Sequence, residues 1–85
     1  MDTHLTELAT KAQLLKGAGY FYNWEREVYF NRKARKAFSV DFLEDNAPEE
    51  IERRIRETTP GTEWSFFFNS PPPDSVKREL SRVLG

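Results

Sequence analysis

Apolar residues recur along the chain with two different periods, and the changes of period mark its elements. From Thr3 to Lys16, Leu5, Leu8, Ala12 and Leu15 fall at spacings of three, four and three, one stripe of a 3.6-residue helix. Asp2 or Thr3 is placed to cap its start, and Gly17 to end it in the left-handed conformation. From Gly19 the period becomes two and β-forming residues dominate: Tyr20 to Trp24, then Val28 to Phe30, then Phe38, Val40 and Phe42. This predicts a three-stranded meander with turns at Trp24-Glu25-Arg26 and Lys33-Ala34-Arg35. Alternation assigns Phe38, Val40 and Phe42 to the core and turns Ala37, Ser39 and Asp41 away. It puts Val28 and Phe30 inward and Tyr29 and Asn31 outward. In the first strand Tyr20, Tyr22 and Trp24 compete with Phe21 and Asn23 for the buried face, and the losing set becomes an exposed aromatic feature.

Asn46 is expected to cap a second helix, with Pro48 in its first turn, Ile51 and Ile55 as its narrow stripe, and an end near Glu57. Four-residue spacing predicts ion pairs of Glu49 with Arg53 and Glu52 with Arg56. Thr58-Thr59-Pro60-Gly61 reads as a turn. Trp64 to Asn69 places Trp64, Phe66 and Phe68 on one face and Phe67 on the other, which suggests a central strand covered on both sides. The prolines at 71 to 73 then break the sheet, and a last helix from about Pro73 presents Val76, Leu80, Val83 and Leu84. The expected fold is α+β in the order αβββαβα. A mixed four-stranded sheet, an antiparallel meander plus one crossover strand, carries its helices mainly on one face and leaves part of the other open.

With 85 residues the chain supports one hydrophobic core, so residues 1–85 are expected to form a single domain. Seven Phe, three Tyr and two Trp make that core aromatic. Cysteine is absent, which excludes disulfides and thiolate zinc sites and favours a cytoplasmic location. Neither a signal peptide nor a membrane span is expected, because no apolar run approaches the needed length. The net charge of −1 provides no attracting field for nucleic acid or anionic membrane. The charge is nevertheless segregated: Arg26, Arg32, Lys33, Arg35 and Lys36 are followed by Asp41, Glu44, Asp45, Glu49 and Glu50.

No constellation for catalysis, metal or cofactor binding is visible. The single His, His4, sits at the start of a helix with no nucleophile placed against it. Asp41, Glu44 and Asp45 precede a helix N-terminus, where negative charge favours the helix dipole. Gly17-Ala18-Gly19 lacks the lysine, preceding strand and following helix of a phosphate loop.

Binding is the remaining class. Tyr20, Tyr22, Trp24 and Tyr29 interleave with Arg26, Arg32, Lys33, Arg35 and Lys36, a combination used to stack bases and neutralise phosphates. The string Lys16-Gly17-Ala18-Gly19-Tyr20-Phe21-Tyr22-Asn23 is similar to the RNP1 signature of RNA-recognition motifs at its basic residue, first Gly, small fourth residue and first following aromatic. It departs from the signature at Ala18 and Asn23, and the element order differs, so that family is not assigned. A meander whose second turn is Asn31 to Lys36, followed by a helix, resembles in architecture the three-stranded DNA-binding domains at the N-termini of some integrases. The same aromatic and arginine residues also suit a protein interface, where such residues form hot spots. The slightly acidic balance ranks a non-enzymatic protein-interaction module first, working through an aromatic sheet face or edge flanked by basic and acidic patches. A nucleic-acid-binding hairpin over residues 20–36 is the alternative. The expected partner is another protein, without membrane association, and the chain itself is expected to be a monomer or weak homodimer.

Overall fold

The computed structural model describes residues 3–57 and 63–85, with side chains from Leu8 onward. Its elements run α1 (Thr3–Gly17), β1 (Phe21–Asn23), β2 (Val28–Asn31), β3 (Lys36–Ser39), α2 (Val40–Asp45), α3 (Pro48–Arg56), β4 (Ser65–Phe67) and α4 (Asp74–Leu84). The sheet order is β1-β2-β3-β4, with the first two pairings antiparallel and β3-β4 parallel. The α+β fold and mixed four-stranded sheet follow the sequence pattern, and the segment between β3 and β4 contains two helices.

Helix α1 ends in a Schellman turn. The Tyr20 amide donates to the Leu15 carbonyl at 3.0 Å and the Gly19 amide to the Lys16 carbonyl at 3.1 Å. The left-handed residue is Gly19, at φ 91°, two positions beyond the Gly17 that the sequence offered, and the helix itself runs through Gly17. Leu15 and Tyr20, which flank the motif, are both buried in the same cluster. The predicted cap at Asp2, the side chain of His4 and the turn at residues 58–61 lie outside the described residues.

Both hairpins use one device. In each four-residue loop the Asn that ends the preceding strand accepts a backbone amide three residues on: Asn23 from Arg26 at 3.0 Å, and Asn31 from Ala34 at 3.1 Å. The last loop residue is left-handed in both, Glu27 at φ 54° and Arg35 at φ 55°.

The register builds two aromatic ladders, one per face. Tyr22, Tyr29, Phe38 and Phe67 stand side by side on the first, and Phe21, Phe30, Ala37 and Phe66 on the second. Helices α1, α2 and α3 cover the first ladder through Leu15, Leu43 and Ile51. Helix α4 covers the second through Leu80 and Leu84, which pack with Val28 and Ala37.

Several expectations are corrected. β3 ends at Ser39, whose hydroxyl accepts the Phe42 amide at 3.2 Å and so caps α2; Val40 and Phe42 are therefore helical. Ala37 and Ser39 are buried, because helices cover β3 on both faces. Tyr29 is likewise half-buried against the first core instead of facing solvent. β4 is an edge strand, and the central positions belong to β2 and β3. Its two-sided aromatic pattern serves both clusters, Phe67 packing against the first and Trp64, Phe66 and Phe68 against the second. Asn46 ends α2, its side-chain amide donating to the Phe42 carbonyl at 2.7 Å, and Ala47 caps α3 ahead of Pro48. Glu52 pairs with Arg56 at 3.0 Å as expected, but Arg53 pairs with Glu50. Val76 and Val83 are exposed, and only Leu80 and Leu84 of the α4 stripe are buried.

Candidate functional site

Helix α4 lies off centre on its sheet face, and this placement determines what remains uncovered. Lys77 and Ser81 turn toward Trp64 and Phe66 at β4. The helical period therefore puts Val76, Glu79 and Val83 on the opposite flank, toward β1. Glu79 pairs there with Arg26 of the β1–β2 loop. At the far end of the helix the Arg32 Nε donates to the Leu84 carbonyl at 2.6 Å.

β1 thus has no helix over its second face among the described residues, and no strand on its outer edge. Phe21 is 69% exposed, Tyr22 43% and Trp24 74%. Phe21 stands on the second face, Tyr22 on the first and Trp24 in the loop beyond, so β1 exposes aromatic side chains on both faces, and Val76 and Val83 are the exposed apolar residues of α4. An open cleft of about 700 Å³ adjoins β1, floored by Phe21 and Phe30 and rimmed by Gly19, Asn31, Arg32 and Lys33. The Phe21 and Phe30 rings lie 6.2 Å apart, and the Arg32 guanidinium is 5.6 Å from the Phe30 ring centre.

The sequence candidates divide sharply. Tyr20 is buried, its ring edge-on to Phe38 at 5.6 Å, and burial pushes its hydroxyl up to about 12. Tyr29 is half-buried; its pKa is raised by burial and then by the neighbouring Tyr22, whose ring centre is 4.7 Å away. Lys36 is buried. Its Nζ donates to the carbonyls of Arg54 at 2.8 Å and Ile55 at 3.0 Å, and to that of Glu57, which closes the C-terminal end of α3. Burial lowers its pKa against an opposing pull from Glu57. Arg26 and Arg32 are tied to α4, while Lys33 and Arg35 stand exposed in the second loop. Among the aromatic candidates, Tyr22 and Trp24 are the ones that stand exposed.

No protein-family model, curated protein or solved structure matches the chain.

The acidic run does not adjoin this region. Asp41, Glu44 and Asp45 belong to α2, and Asn69 beyond β4 donates to the Asp41 carbonyl at 3.1 Å and to the Asp45 carboxylate. Glu50 binds Arg53 and Arg54, and the Arg53 hydrogen bond leads the lowering of its pKa. The charges beside β1 are instead Glu25 and Glu27 at one end and Lys16 and Lys33 at the other, none in an ion pair among the described residues. Phe21, Val76 and Val83 are the surface residues that sequence reasoning missed. The signal for Phe21 lay in the unresolved alternation of its strand. The described residues contain no group of His, Asp and Glu side chains able to hold a metal ion, and no helix long and apolar enough to cross a membrane.

Proposed function

We propose that this domain is a non-enzymatic protein-interaction module that docks its partner along the β1 edge, through Phe21, Tyr22 and Trp24 with the adjoining flank of α4. One observation carries the reading: of the five large apolar side chains left exposed among the described residues, three, Phe21, Tyr22 and Trp24, lie on β1 and the loop that follows it. Burying such side chains is the main driving force for association, and aromatic anchors dominate interface energies. An uncharged edge strand adds main-chain donors and acceptors that can extend the sheet into a partner. The module is read as cytoplasmic, in keeping with a chain that contains no cysteine.

The nucleic-acid reading of residues 20–36 has less support, because Arg26, Arg32 and Lys36 already serve contacts within the domain. The discriminating experiment is capture from nuclease-treated lysate on the immobilised chain. The native surface should retain a protein that Phe21→Ser/Trp24→Ser loses, with both forms unfolding at similar temperatures. Equal capture by both forms removes the β1 edge from the account.

A further inference from the structure

We infer that the partner of β1 is β1 of a second copy of this chain, paired antiparallel about a two-fold axis at Tyr22 so that two four-stranded sheets become one. The inference rests on the reading of β1 as a docking edge and identifies the occupant.

Three features of the edge support it. The strand Phe21-Tyr22-Asn23, three residues long, has β2 on one side only and carries no charge, proline or bulge. Its flanking charges are opposite in sign at its two ends. Beyond Asn23 the loop holds Glu25 and Glu27, while Arg26 is occupied by Glu79. At the Phe21 end, Lys33 shares a cleft with Phe21 and Lys16 closes α1. An antiparallel two-fold pairing sets the acidic end of each copy against the basic end of the other, twice over. A parallel pairing would set like against like. The pairing also puts Tyr22 opposite its own counterpart, so the ladder of Tyr22, Tyr29, Phe38 and Phe67 continues into the second copy. A foreign strand would need to present this same polarity of charge, whereas a copy of the chain carries it already.

Sedimentation equilibrium of the full chain from about 10 μM to about 1 mM provides the test. The mass should rise with concentration from 10.0 kDa toward twice that value. Lys33→Glu and Glu25→Lys should each weaken association by about tenfold. An equimolar mixture of the two variants should recover it, because each copy then meets its opposite charge at both ends. Association unaffected by either reversal overturns the pairing. So does a constant 10.0 kDa mass; if that monomer still captures another protein through Phe21 and Trp24, only self-pairing fails, and if it captures nothing, the docking edge fails with it.

Discussion

Tyr20 shows how a single atom can run against its surroundings. Its ring belongs to the first core, packed on Phe38, but its hydroxyl is buried without a hydrogen-bond partner among the described residues. An unpaired buried hydroxyl costs about 1–3 kcal/mol, and removing it while keeping the ring recovers part of that cost. Tyr20→Phe should therefore raise the urea midpoint, with a gain of about 1 kcal/mol and an unchanged slope. The same burial makes stability pH-dependent. The folded pKa lies at about 12, above the ordinary 10.0, so the unfolded chain loses its proton first. Stability linked to this group is complete below pH 10 and declines as the pH rises toward 12, by about 2–3 kcal/mol at full extent. Unfolding curves between pH 9 and 11.5 should show this decline in the native protein and lose most of it in Tyr20→Phe. An identical alkaline slope in both would assign it to other groups.

At the scale of elements, two lysines fasten the short helices. Lys11 of α1 donates to the Leu43 carbonyl in α2, and Lys36 of β3 gathers three carbonyls at the end of α3. A cation at a helix C-terminus is favoured by the helix dipole as well as by the bonds themselves. Lys36→Ala should cost about 2–3 kcal/mol, measured by chemical denaturation, because three part-buried carbonyls lose a charged donor. Lys33→Ala, one loop away and exposed, should cost less than about 0.5 kcal/mol. The contrast explains what the sequence could and could not reveal. The 3.6-residue stripe of α1 emerges from residue order alone, whereas β2 is apolar on both faces and its period could not tell that Tyr29 also packs inward. Ser39 looked like one more strand position because its capping role depends on the chain turning there. Lys36 looked solvated because its acceptors are supplied by residues about twenty positions away.

For the whole molecule, the asymmetry of coverage is what connects fold to function. Three helices pack over one face while α4 sits toward β4 on the other, leaving β1 as the strand whose aromatics meet solvent. Of the stretch that the sequence singles out, Tyr20 to Lys36, the structure leaves two candidate aromatics exposed, Tyr22 and Trp24. Alternation alone left Tyr20 and Phe21 as rivals for the buried face and offered Tyr20 and Lys36 as binding candidates, both of which the structure buries, since strand order and helix offset are tertiary facts. We propose that this stretch presents apolar surface to protein rather than cations to phosphate. Amide-resolved NMR of the labelled chain, titrated with single-stranded and duplex oligonucleotides at low and moderate salt, tests it most directly. No saturable shifts over residues 20–36 are expected at either salt. Shifts confined to those residues, saturating at low salt and vanishing at moderate salt, would contradict the proposal and make the basic loop a phosphate-binding site.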